Sequence, residues 1–186
     1  MDTRNTFNNI LQNYIINRRR LYYAGIGSRK TPKHVLALMT KISDHLFMLG
    51  AILRTGGADG PDTAFAQGSH GRFELYLPKQ GFNGCTSKCH TVSADALQIA
   101  AEIHPAWDRC SVFVKKLHGR NVYQVLGYDI APATYSAFVI CWTPNGKAVG
   151  GTRTAIKLAE KYNIPVFNLA NEEVYTYFKE LVEKED

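Results

Sequence analysis

The chain contains no apolar run approaching the roughly 18 residues needed to cross a bilayer. Its first twenty residues hold no apolar signal core, so the expectation is a cytoplasmic protein with no membrane partner. Cysteine is scarce. Four of them in 186 residues (Cys85, Cys89, Cys110, Cys141) make no disulfide framework. Cys141 lies inside the apolar run 137–142 and reads as a buried thiol. Cys85, Cys89 and His90 invite a zinc reading, with His104 or Cys110 as a fourth ligand. The spacing is unusual for a structural site and no second cysteine pair follows, so no metal and no cofactor is expected. Internal repeats and low-complexity tracts are missing too. Charge is modest, with 22 basic against 16 acidic residues, a net +6 that suits anionic ligands from nucleotides to nucleic acid. Arg18, Arg19 and Arg20 supply half of that excess, and a solvated basic helix end accounts for them equally well.

What is present is an alternation. Short, nearly continuous apolar runs at 21–26, 51–55, 73–77, 137–142 and 164–168 read as parallel strands covered on both faces. Between them lie helical stripes, the clearest opening at Pro32 and carrying Val35, Leu36, Leu38, Met39, Ile42, Leu46 and Leu49 to Gly50. The expected fold is therefore α/β, a Rossmann-like doubly wound, mainly parallel sheet of about five strands with helices on both faces. Residues 1–20 form an N-terminal helix, with Phe7, Ile10, Leu11, Tyr14 and Ile15 on one side for packing on the sheet or on another chain. Residues 21–186 form a single nucleotide-binding domain, interrupted by an irregular insertion at about 78–92.

Three of the strands break into glycine-rich turns that enter helices. Such turns let backbone N–H groups approach a ligand at the positive end of a helix dipole. The first holds Gly25, Gly27, Ser28 and Arg29. It lacks the third glycine of a dinucleotide fingerprint, and Arg54, itself a ligand-binding candidate, stands at the end of the next strand where an acidic residue would bind ribose. The second holds Gly56, Gly57, Asp59 and Asp62, where Asp62 either caps the helix or accepts from a ribose or base. The third holds Gly150, Gly151, Thr152, Arg153 and Thr154, and an arginine in a first helical turn points to a bound anion. Arg120 and Asn121, polar between apolar segments, are further ligand-binding candidates. His104 with Asp108 is a candidate acid–base pair, set against a histidine satisfied by its own backbone.

The run of GIGSR at 25–29, LRTGGADGPDTAFAQG at 53–68, a strand ending in Leu-Pro, a helix-opening GGT and the tail to Leu169 resembles the SLOG superfamily. That group includes the DNA-processing protein A family and the lonely-guy phosphoribohydrolases, and the nearest likeness is to small DNA-processing-protein-A-like proteins of phages and mobile elements. The resemblance implies a Rossmann-like sheet, a nucleotide-derived ligand over the three turns, and self-association into a homo-oligomer. Where the hydrolases carry a catalytic glutamate this chain has Lys157, and Arg153 replaces the glycine before the threonine. Hydrolysis would then need Glu74 or Glu102 brought into the pocket. The leading expectation is a protein that binds a nucleotide or ADP-ribose-like signal without cutting it, sensing or sequestering it, in phage-type members against host defence. The alternatives are a nucleotide N-glycosidase or phosphoribohydrolase, and a binder of single-stranded DNA, for which Arg120-Asn121 matches an RN motif of the DNA-processing proteins.

Overall fold

The computed structural model describes residues 2–183, so Met1 and residues 184–186, the outer limits of the expected segments, lie outside the described residues. In chain order the elements are α1 (Thr3–Ile16), β1 (Tyr22–Gly25), α2 (Lys33–Met48), β2 (Ile52–Thr55), α3 (Pro61–Gly68), β3 (Phe73–Leu75), α4 (Ala94–Ile103), α5 (Val112–Leu126), β4 (Phe138–Cys141), α6 (Thr152–Lys161), β5 (Val166–Asn168) and α7 (Glu172–Glu183). All five strands are parallel, in the order β3-β2-β1-β4-β5. The expected Rossmann-like fold is what forms. The winding reverses between β1 and β4, and in such sheets that switch point opens a crevice at the strands' carboxyl ends.

Both faces are covered, which is why the strands read as apolar runs rather than alternating ones. On one face α1, α2, α3 and α7 enclose Tyr23, Leu53, Phe138, Ile140 and Phe167. On the other, α4, α5 and α6 enclose Ala24, Val139 and Cys141. The stripe of α2 (Val35, Leu38, Met39, Ile42, Leu46) is buried as its spacing dictates, and the helix stops before Gly50, where φ is +82°. α3 crosses α2 so closely that a Cβ on Gly68 would lie 2.1 Å from the Thr40 carbonyl oxygen. α1 joins the same core through Phe7, fully buried, whose ring meets Phe138, Phe167, Tyr177 and Phe178 edge-on at centroid distances of 5.3, 5.6, 5.9 and 5.0 Å. Such pairs add to the burial of the aromatic surface itself.

The insertion after β3 is anchored along the sheet edge. Leu77 N–H donates to the Cys89 carbonyl at 2.8 Å, and the Ser87 hydroxyl donates to the Leu75 carbonyl at 2.5 Å. These bonds occupy an edge that would otherwise offer unpaired backbone groups. The polar stretch 118–121 lies inside α5, with all four residues buried. No helical period announces this segment, because both sides of it are covered.

Candidate functional site

All three glycine turns lie at the carboxyl ends of the strands, but they are built differently. In the first turn the glycines serve packing. A Cβ on Gly25 would lie 2.6 Å from Phe65 Cγ, and one on Gly27 would lie 2.7 Å from Pro61 Cγ, so their bareness seats α3 against β1. The Ser28 N–H donates to the Trp142 carbonyl at 3.0 Å, tying this turn to the exit of β4 across the switch point. Its hydroxyl accepts from the Lys30 N–H at 3.2 Å. Arg29 and Lys30 remain exposed.

The second turn is filled from within. Asp62, buried in the first turn of α3, accepts hydrogen bonds from the N–H groups of Gly56 and Ala58, each at 3.1 Å. Gly57 and Gly60 take positive φ to aim the loop this way. Converging N–H groups of this kind are an anion cradle, and here the anion is the protein's own carboxylate. Arg120 from α5 closes the other side. It donates to the Gly56 carbonyl and stands 3.8 Å from Asp62. Burial pushes the Asp62 carboxyl up from its ordinary value, against the Arg120 guanidinium and the two N–H donors that pull it down. Asp62 and Arg120, expected to touch a ligand, are held by each other and by the loop. Asp59 is exposed.

The third turn is left open. Gly151 starts α6 without a side-chain cap, Gly150 takes φ +62°, and a Cβ on either would meet nothing within 4 Å. Gly150 and Gly151 lie exposed at this helix start, and the Arg153 N–H closes on the Gly150 carbonyl at 3.2 Å. The turn's position is set by α5. Asn121 Nδ2 donates to the Gly151 carbonyl at 2.9 Å, and His118 Nδ1 shares a 2.8 Å hydrogen bond with the Thr154 hydroxyl. Arg153 is half-buried, with its Nε buried and lacking a hydrogen-bond partner. Lys157 pairs with Glu160 at 2.6 Å. One short stretch of α5 thus fastens the second turn through Arg120 and the third through His118 and Asn121.

Around this edge cations alternate with aromatic faces. Asn83 in the insertion donates to the Gly57 carbonyl at 3.1 Å, drawing Phe82 to the second turn, where the Arg120 guanidinium lies 5.3 Å from its ring. Phe82 meets Phe113 at 6.2 Å, Lys79 lies 5.6 Å from the Phe113 ring, and Lys115 lies 5.4 Å from the Trp107 ring. Phe113 is 39% exposed. Phe82 and Lys79 stand in the insertion, where aromatic residues and lysines are a usable sequence signal for a ligand surface, whereas Phe113 and His118 lie within α5 and carry no such signal.

Several candidates sit elsewhere. Arg54 is turned away from the turns, bound to Glu74 at 2.7 Å and to the Thr134 carbonyl and Ser136 hydroxyl near the far end of α5. Glu74 also accepts from the Tyr76 hydroxyl at 2.6 Å, and Glu102 pairs with Lys161 at 2.9 Å. Neither carboxylate reaches the third turn. The His104 ring lies 4.4 Å from that of His118, tilted by 57°, and its Nδ1 accepts from the Ala106 N–H at 3.2 Å. No hydrogen bond or ion pair joins it to Asp108 among the described residues. Burial first, then His104 and Arg120, push His118 down to about 4. Burial likewise pushes the Cys141 thiol up to about 12, as its place in β4 dictates. Among the described residues no group of three His, Cys, Asp or Glu is arranged to hold a metal ion, Cys85, Cys89 and His90 included.

No family model and no curated protein sequence matches the chain. Among solved structures, DNA processing protein A from Helicobacter pylori, reported for its single-stranded DNA binding mode, superposes with a TM-score of 0.54 at 15% identity, over 95% of this chain and 84% of that one. The likeness establishes a shared Rossmann-like fold. Among the described residues no helix is long and apolar enough to cross a membrane.

Proposed function

We propose that the chain binds single-stranded nucleic acid across the carboxyl edge of its sheet. The observation that carries this reading is the Asp62 carboxylate in the second turn. With that cradle filled from within and Phe82 drawn over it, what remains for a ligand is an open, basic and aromatic rim. A rim of this kind suits a phosphate backbone with stacking bases better than it suits one enclosed nucleotide. The structurally similar DNA processing protein A supports the same direction. The test is the anisotropy of a labelled oligothymidylate titrated with protein at several salt concentrations. Each phosphate neutralised adds about 0.7 to the salt slope for single strands. Arg29→Ala/Lys30→Ala/Lys79→Ala should therefore weaken binding at least tenfold and flatten the slope by about 2. A wild-type protein that does not bind at low salt would end this reading.

A second reading, a nucleotide-derived signal such as an ADP-ribose-like molecule held without being cut, draws support from the third turn. There an uncapped helix start adjoins Arg153, whose buried Nε has no partner. Denaturing the purified protein and weighing any released small molecule tests it, and free base with ribose phosphate would instead indicate hydrolysis. Self-association belongs to the same proposal, since Ile15 and Ile16 at the end of α1 are 68% and 77% exposed. Light scattering across a dilution series reads it directly.

A further inference from the structure

A cleft of about 830 Å³ lies at the opposite, amino edge of the sheet, where Tyr22 opens β1, Ala137 precedes β4 and Pro165 precedes β5. Its volume falls within the roughly 300–1,000 Å³ typical of small-molecule sites. Arg19, Arg20, Tyr14, Tyr22 and Tyr135 line it, and no carboxylate does. A third guanidinium, that of Arg54, lies 4.1 Å from the centre of the Tyr22 ring, with its charge answered by Glu74. Tyr135 is held edge-on by Tyr162 at 5.3 Å.

The chain enters this cleft in an uncommon way. At the end of α1 the Arg18 N–H donates to the Ile15 carbonyl and the Arg19 N–H to the Tyr14 carbonyl, a Schellman closure. The left-handed position of such a closure ordinarily belongs to glycine, yet Arg18 holds it at φ +48°. This reversal carries Arg19 and Arg20 into the cleft wall instead of letting the helix run on into solvent. A basic helix end answering its own dipole requires neither the reversal nor the aromatic cleft beside it.

We propose that this cleft is a second binding site, which takes a phosphorylated nucleoside with the phosphate on Arg19 and Arg20 and the base against the tyrosine faces. The nucleoside is either a free mononucleotide or one residue of a strand. The site stands independently of the carboxyl-edge reading, and the test keeps the two apart. Thymidine monophosphate and a labelled oligothymidylate are each titrated into four proteins: wild type, Arg19→Ala/Arg20→Ala, Arg29→Ala/Lys30→Ala, and Lys41→Ala/Lys179→Ala as a control for net charge.

The cleft variant should lose about tenfold in mononucleotide affinity and about 1.4 in the strand's salt slope, two phosphates' worth. Loss of mononucleotide binding alone assigns a free nucleotide, and loss of strand binding assigns a strand residue. Wild type binding neither probe, a cleft variant that binds both unchanged, or a charge control that loses as much overturns the proposal. Inorganic phosphate competing as well as the mononucleotide overturns the nucleoside assignment. If the Arg29/Lys30 variant keeps strand binding while the cleft variant loses it, the carboxyl-edge reading fails and the cleft remains.

Discussion

The second and third turns occupy the same sheet edge, have the same paired glycines, and are fastened by the same few residues of α5, yet one is closed and the other open. In the second, the anion a glycine cradle would collect is already present as Asp62, with Arg120 as its counter-ion. In the third, no side chain enters: a Cβ on Gly150 or Gly151 would meet nothing within 4 Å, where one on Gly56 would meet the Arg120 guanidinium at 2.6 Å. A glycine-rich turn is therefore not by itself a vacancy for ligand. The side chain that enters it decides, and that side chain can come from six residues along the chain or from a helix on the other side of the sheet.

Breaking the closed turn should produce the largest effect. Arg120→Leu strands the Asp62 carboxylate in a buried site with only two N–H donors. Breaking one partner of a buried pair typically costs about 3–5 kcal/mol. Urea unfolding should register that loss, and Asp62→Ala, which strands the guanidinium, should match it. Joining Arg120→Leu with Asp62→Ala should recover at least about 1 kcal/mol of the summed losses, because the two groups answer one another. Single variants within about 1 kcal/mol of wild type would mean that the pair holds nothing together.

The open turn depends on a group that titrates. His118, which anchors Thr154, is pushed down to about 4, below its ordinary 6.5. A depressed histidine favours the neutral form in the folded state, so its contribution is full above pH 6.5. It falls as the pH drops from 6.5 towards 4, where the unfolded chain takes up the proton first, and it is level below that. The groups facing His118 are His104, Arg120 and Thr154. Between pH 7 and 4.5 wild type should lose about 2–3 kcal/mol more than His118→Gln. Parallel pH profiles for the two proteins would remove His118 as the source. Strand binding should not weaken through this proton over the same window, since folded His118 stays neutral until about pH 4 and keeps its hydrogen bond to Thr154.

The sheet was legible because its signals are local. Phe138–Cys141 is apolar throughout since both faces are covered, and the α2 stripe has the helical period of a surface element. The placement of the three turns at strand ends followed from the same alternation. What the sequence did not disclose was which partner each polar residue would find. Arg54 reads as a pocket arginine until Glu74 on the neighbouring strand claims it across the β2–β3 register. Arg120 and Asn121 look ligand-facing because polar residues between apolar ones ordinarily face water. Their burial depends on α5 being covered by the turns themselves, a contact 64 residues distant for Arg120 and 30 for Asn121. Local pattern carries no information at that range.

The smallest expected effect discriminates most sharply between an open site and an idle loop. Gly151 already has helical dihedrals, φ −62° and ψ −31°, and a Cβ there would meet nothing within 4 Å. The usual preference against alanine at a helix start assumes extended dihedrals, so it does not apply. Gly151→Ala should raise stability by about 0.5 kcal/mol, through fewer conformations in the unfolded chain. If phosphate approaches the N–H groups that open α6, the same methyl obstructs it, and oligothymidylate affinity should fall several-fold. Stability and affinity would then move in opposite directions, which a packing defect cannot produce. Affinity that is unchanged or rises with stability would place the strand elsewhere on the rim, on Arg29, Lys30 and Lys79 alone.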